Sequence, residues 1–173
     1  TTSTKFYDMT FNIIIDVNKL AKGKEFYQLA NWSISPDEKT MTYAEDESGR
    51  RQYTIKFKDL EKDTTSNYSL SNTSGDMAWS SDGKYLFYVL RNEETLLPFK
   101  LFRHELGTSQ DQDALVYEEK DTTFYLSVGN TRSMDYIEVD ISSTTSSEVR
   151  LIRSNDPTTV SYTHLTLPTI SCV

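Results

Sequence analysis

The chain has 173 residues, 26 of them acidic and 18 basic, giving a net charge of −8 and a pI near 4.8. A surface this acidic repels a phosphate backbone, and Arg50-Arg51 or the alternating Lys56 and Lys58 are too sparse to make a basic stripe, so no nucleic-acid partner is expected. With 36% hydrophobic and 12% aromatic residues, 11 Tyr and only 6 Gly, the composition is β-prone and excludes collagen-like and disordered classes. The longest aliphatic run, Ile13-Ile14-Ile15, is too short to cross a bilayer, and no basic leader with an apolar stretch opens the sequence, so no membrane partner is expected.

The predicted elements recur. Ile34-Ser35-Pro36-Asp37-Glu38 supplies short side-chain acceptors and a proline for a tight turn, and Thr40-Met41-Thr42-Tyr43 alternates like a half-buried strand. Arg51-Gln52-Tyr53-Thr54-Ile55-Lys56-Phe57-Lys58-Asp59-Leu60 then alternates strictly, which argues strand over helix. At an offset of 45 residues Trp79-Ser80-Ser81-Asp82-Gly83 repeats the turn, followed by Tyr85-Leu86-Phe87-Tyr88-Val89, apolar enough to be buried on both faces. Leu97-Pro98-Phe99-Lys100-Leu101-Phe102-Arg103-His104-Glu105-Leu106 is the second alternating strand, its Leu106 lying 46 residues after Leu60.

A third unit begins near Asp121. Phe124-Tyr125-Leu126-Ser127-Val128 leads to a turn at Asn130-Thr131-Arg132-Ser133, then to Tyr136-Ile137-Glu138-Val139, with Glu148-Val149-Arg150-Leu151-Ile152 expected as its outer strand. A self-similar unit of about 45 residues built of short aromatic-rich strands and polar turns predicts an all-β fold, a partial β-propeller of three to four four-stranded blades.

Residues able to carry chemistry are few. No Gly-x-Ser-x-Gly elbow exists, so the sharp strand-to-helix turn that exposes a serine nucleophile is missing, and no catalytic residue is assigned. His104 and His164 have no partner at triad or metal-ligand spacing, and His104 is read as a structural strand residue. Asp111 and Asp113 superficially suggest a calcium loop, but the Gly and terminal Glu do not follow, so both are read as a solvated hairpin loop. Glu118-Glu119-Lys120-Asp121 is expected to be a polar connection between blades, and Arg50 and Arg51 to be solvated. No metal or cofactor site is expected. The lone Cys172 allows no internal disulfide, which suits a reducing, cytoplasmic setting.

A longer series of segments carries a family resemblance. Ile14-Ile15-Asp16-Val17-Asn18-Lys19-Leu20-Ala21-Lys22-Gly23, Ser35-Pro36-Asp37, Gly49-Arg50-Arg51-Gln52-Tyr53-Thr54-Ile55, Thr95-Leu96-Leu97-Pro98, Arg103-His104-Glu105-Leu106-Gly107-Thr108 and Tyr117-Glu118-Glu119-Lys120-Asp121 stand in the order found in the propeller of the oligopeptidase B branch of the prolyl oligopeptidase family. The resemblance spans about residues 13 to 157 and is loose before residue 13. It implies a serine peptidase in which a seven-bladed propeller covers a C-terminal α/β-hydrolase domain, admits short peptides, and cleaves after Lys or Arg. This chain would be part of that lid, noncatalytic by itself, with residues 1–159 as the partial propeller. A stand-alone propeller used as an interaction module is the alternative, since the fold supports many roles.

The end of the chain departs from the pattern. Val160-Ser161-Tyr162-Thr163-His164-Leu165-Thr166-Leu167-Pro168-Thr169 resembles a translated sequencing adapter, so residues 160–173 are expected to be a non-native tail.

Overall fold

The computed structural model describes residues 13–159 and the backbone of residues 165 and 166. One short helix, α1 (Val17–Ala21), is capped by Asp16, whose carboxylate accepts the backbone N–H groups of Asn18 and Lys19. The strands that follow it among the described residues pair antiparallel. Strands β1 (Gln28–Ile34), β2 (Thr40–Asp46), β3 (Tyr53–Asp59), β4 (Thr64–Trp79), β5 (Tyr85–Arg91), β6 (Pro98–Glu105) and β7 (Ala114–Glu118) pair in chain order in one sheet. Strands β8 (Tyr125–Asn130), β9 (Tyr136–Ser142), β10 (Ser147–Arg153) and β11 (Leu165–Thr166) form a second.

The seven strands make two blades because β4 serves both. Its first part pairs with β3 and its end, Met77 to Trp79, with β5, and between them the ladder register shifts. Asn72 and Gly75 take positive φ at this bend, 59° and 91°. A Cβ on Gly75 would sit 3.1 Å from the Tyr53 ring, so backbone conformation and a close approach both require glycine there. The first blade is thus β1, β2, β3 and the start of β4; the second is the end of β4 with β5, β6 and β7; the third is β8 to β11.

Two buried clusters lie between blades. Ala44, Tyr53, Ile55, Phe57 and Leu70 of the first blade meet Met77, Trp79, Leu86 and Tyr88 of the second. Ala78, Phe87, Val89 and Leu101, from the other face of the second blade, meet Leu126, Val128, Ile137, Val139, Ile141 and Ile152 of the third. The expectation for Tyr85-Leu86-Phe87-Tyr88-Val89 holds: Leu86 to Val89 are buried, alternating between the two clusters.

Three sequence expectations need correction. Thr40-Met41-Thr42-Tyr43 is not half-buried, because Thr42 is as enclosed as its neighbours; its hydroxyl bonds to the Ser33 carbonyl and reaches the Met77 sulfur, which satisfies a polar group inside an inter-blade contact. β10 is not the outer strand of its blade, since Leu165 and Thr166 pair with Val149 and Glu148 on its far side. Asp113 is not solvated, as described below. The rest of the tail, with His164, Pro168 and Cys172, lies outside the described residues, as does the loosely matching start of the chain.

The repeated turn has one geometry. Ser35 Oγ donates to Asp37 at 2.6 Å and accepts the Thr40 N–H at 2.9 Å, while Asp37 also accepts the Lys39 N–H. Ser80, Asp82, Tyr85 and Lys84 reproduce it, with Ser80 Oγ to Asp82 at 2.6 Å and Tyr85 N–H to Ser80 Oγ at 3.0 Å. In the third blade Thr131 takes the serine's place, accepting the Tyr136 N–H at 3.2 Å, and Ser133 takes the aspartate's. Burial works against ionisation of Asp82, but the Ser80 hydroxyl and Lys84 amide prevail and hold its carboxyl below the usual range.

Candidate functional site

A cleft of about 740 Å³ lies against the β2–β3 hairpin and is lined by Glu45, Glu47, Arg50, Lys56, Asn72 and Glu93 among others. The hairpin is set by Asp46, whose carboxylate accepts the N–H groups of Ser48, Gly49 and Arg51 and the Ser48 hydroxyl, letting Gly49 and Arg51 adopt positive φ. Burial alone would raise the Asp46 pKa; the four donors overcome it and hold the carboxyl below its ordinary value.

Charges in the cleft are mostly paired. Glu45, itself buried, accepts the Tyr27 hydroxyl at 2.9 Å and stands 3.9 Å from Lys56, while Lys24 bonds Glu47 at 2.7 Å. Burial, then the Glu45 carboxylate, pushes the Tyr27 phenol well above its ordinary range, keeping it a donor at neutral pH. Arg50 is exposed, as the sequence suggested, and Arg51 contributes its backbone to the turn. The cleft brings mixed charge and hydrogen-bonding groups together.

The one His–carboxylate pair among the described residues lies elsewhere, inside the second blade. His104 Nδ1 is 2.8 Å from Asp113, both side chains are fully enclosed, and the Tyr88 hydroxyl donates to the same carboxylate at 2.9 Å. Gln110 closes the cluster by donating to the Tyr88 hydroxyl and to the Ser71 carbonyl. Burial, reinforced by Asp113, raises the Tyr88 phenol far above its usual pKa.

This is a structural lock. His104 Nε2 has no hydrogen-bond partner, and the imidazole ring packs among the rings of Phe57 and Tyr68, with no serine hydroxyl bonded to it. Asp111 stays exposed and bonds Ser109, whereas Asp113 turns inward. The signal for this was register: Arg103 pairs with Ala114 across the β6–β7 hairpin, which brings the next positions inward, 104 and 113, together. Glu118 and Glu119 lead out of β7 into the connection to β8, as expected. No group of three or more His, Cys, Asp or Glu able to hold a metal occurs among the described residues, and no helix there is long and apolar enough to cross a membrane.

Residues 4–170 match the profile of the prolyl oligopeptidase N-terminal β-propeller domain. The chain belongs to this family. Among curated proteins, this prolyl oligopeptidase propeller is 41% identical over 145 residues to dipeptidyl aminopeptidase BI of Pseudoxanthomonas mexicana, covering 84% of the chain and 20% of the relative. It is 33% identical over 152 residues to protease 2 of Moraxella lacunata, covering 87% of the chain and 22% of the relative. The chain therefore spans about a fifth of the length of the curated relatives it matches.

Solved structures agree on the fold. Oligopeptidase B from Leishmania major superimposes with a TM-score of 0.80 at 29% identity, covering 90% of the chain and 22% of that protein. The Trypanosoma brucei oligopeptidase B, closed and covalently bound to antipain, gives 0.78 at 24% identity over 97% of the chain and 23% of that protein.

Proposed function

We propose that this chain is the substrate-gating propeller part of a serine oligopeptidase that hydrolyses short peptides after Lys or Arg. The observation that carries this reading is the family match over nearly the whole chain, joined to relatives and a solved structure that all bear peptidase names. In this reading the parent protein carries an α/β-hydrolase domain C-terminal to the propeller. There a serine, activated by histidine and assisted by an oxyanion hole, performs acyl transfer. The blades exclude folded protein sterically, and the net charge of −8 favours approach of cationic peptides. We place the parent in the cytoplasm, a setting that a chain with one cysteine suits.

A second specificity is favoured by one relative. The dipeptidyl aminopeptidase BI match, at 41% identity, supports release of dipeptides from free N-termini. The test is to express the full reading frame of the source gene and assay three fluorogenic substrates: a blocked peptide ending in Arg, a blocked peptide ending in Pro, and an unblocked dipeptide amide. Cleavage of the first with loss of activity after a fluorophosphonate supports the oligopeptidase reading; cleavage of the third alone selects the dipeptidyl one. A frame without a hydrolase domain, or a full-length protein that no serine reagent labels, overturns both and leaves the interaction module.

Sequencing the source locus decides the origin of residues 160–173, which we read as non-native. The family match extends to residue 170, and a locus that encodes Val160 to Val173 in frame would overturn that reading.

A further inference from the structure

Met134 stands apart from its turn and from the other described methionines. It holds the fourth position of the turn that recurs in each blade, where Glu38 and Gly83 stand in the first two copies, and all three have positive φ: 59° at Glu38, 69° at Gly83 and 63° at Met134. That backbone region favours glycine, yet here it carries a long thioether that is 46% exposed. Met41 and Met77, by contrast, are 6% and 5% exposed, and the Met77 sulfur takes the Thr42 hydroxyl inside the seam between the first two blades.

The turn depends on the Met134 backbone. Its N–H donates to the Thr131 carbonyl, and its carbonyl accepts the Ser154 hydroxyl at 2.6 Å. The side chain is left to line a cleft of about 370 Å³ with Ser81, Asp135, Tyr136, Arg153 and Asn155. Three of these neighbours carry hydrogen-bond donors, the Ser81 hydroxyl, the Arg153 guanidinium and the Asn155 amide. An exposed sulfur beside donors, outside both buried clusters, can change from apolar to polar without disturbing the core.

We propose that Met134 is a reversible oxidation site. The sulfur lone pair attacks one oxygen of a hydroperoxide and the O–O bond breaks. A proton passes to the departing oxygen, so the peroxide is reduced to water or an alcohol while the thioether is oxidised by two electrons to the sulfoxide. The new oxygen accepts hydrogen bonds, which the polar lining of the cleft can supply. Methionine sulfoxide reductase reverses the step: the oxygen leaves as water while two thiols become a disulfide.

Site-resolved oxidation of the 173-residue chain by dilute hydrogen peroxide tests this. Tryptic peptides 133–150, 40–50 and 63–84 carry Met134, Met41 and Met77 separately, so mass spectrometry reads three rates from one sample. Met134 should react severalfold faster than Met41 and Met77 in native buffer, and the three rates should converge in urea. Met134→Leu should remove the fast site and leave the Met41 and Met77 rates unchanged. The chain oxidised at Met134 alone should keep its urea midpoint, and methionine sulfoxide reductase should return its mass to that of the untreated chain. A Met134 that reacts no faster than Met41 or Met77 in native buffer overturns the proposal, as does a lead that survives in urea, which would belong to local sequence and not to exposure. A lowered urea midpoint, or a sulfoxide that the reductase leaves in place, overturns it too.

Discussion

Between the first and second blades the buried groups are largely aromatic and partly polar, Tyr53, Phe57, Trp79 and Tyr88 packed near the His104–Asp113 pair, whereas between the second and third they are almost all aliphatic, Val89, Leu101, Leu126, Val128, Ile137, Val139, Ile141 and Ile152. One repeat therefore builds two seams of different chemistry. The aliphatic seam's buried core depends on volume. The aromatic seam depends also on the Asp113 carboxylate, which partners both His104 and Tyr88, because a buried donor or acceptor that loses its partner costs about 1–3 kcal/mol.

The sharpest test truncates one residue in each seam. Leu126→Ala should cost about 2–5 kcal/mol by removing buried methyl groups and leaving a cavity. Asp113→Ala should cost about 2–4 kcal/mol although it removes little apolar volume, because both His104 and Tyr88 lose their acceptor. Urea unfolding distinguishes them through a second substitution. Asp113→Asn keeps an oxygen acceptor and should recover part of the loss, while Leu126→Met, nearly volume-conserving, should cost under about 1.5 kcal/mol. If Asp113→Ala proves neutral, the polar lock is decorative and the seams are energetically alike.

A smaller effect is expected where a single side chain joins two blades. Asn130 ends β8, donates through Nδ2 to the Trp79 carbonyl at 2.8 Å, and accepts the Trp79 N–H at 2.9 Å, taking the place of a neighbouring strand. Asn130→Ala should destabilise by about 1–3 kcal/mol. In native-state hydrogen exchange the Trp79 amide should lose protection out of proportion to its neighbours. Asn130→Asp keeps the acceptor but loses the donor, and should fall between. Unchanged Trp79 exchange in Asn130→Ala would show that the Asn130 side chain is not what protects this amide.

The architecture was legible because it is written locally and repeatedly. Ser35 with Asp37 and Ser80 with Asp82 announce the same turn, and the alternation of Tyr53, Ile55 and Phe57 announces a strand. The hidden parts are the ones that require register or shape. Thr131 with Ser133 was legible as a turn in the third unit, but that it reproduces the serine–aspartate geometry with other residue types shows only in the structure. Asp113 looked solvated beside Asp111 because only pairing across β6 and β7 turns it toward His104. Thr42 looked exposed because alternation with Met41 and Tyr43 signals a polar face, and only the adjoining blade supplies Met77 over it. The wide cleft had no motif, since Glu45, Lys56 and Glu93 come from three separate strands and loops.

The smallest expected effect concerns Asp76, at the bend where β4 passes between the aromatic seam's two blades. Burial raises its pKa, partly offset by the Ser74 hydroxyl, which donates at 2.8 Å, and by the positive charge of Arg91. A carboxyl whose folded pKa is raised binds its proton more tightly when folded, so its contribution favours folding most below the unfolded pKa and falls as pH rises through the folded one. Above that range the buried charge is a standing cost. Asp76→Asn keeps an acceptor for Ser74 and removes the charge, so it should stabilise the chain at pH 7 on the order of 0.5–1 kcal/mol, with the gain shrinking as pH falls through the aspartate range. Denaturation midpoints at pH 7 and pH 3.5 give the comparison. If Asp76→Asn destabilises at pH 7, the attraction to Arg91 outweighs desolvation and the bend is held by an ion pair; if it stabilises equally at both pH values, charge is irrelevant there and the gain is steric.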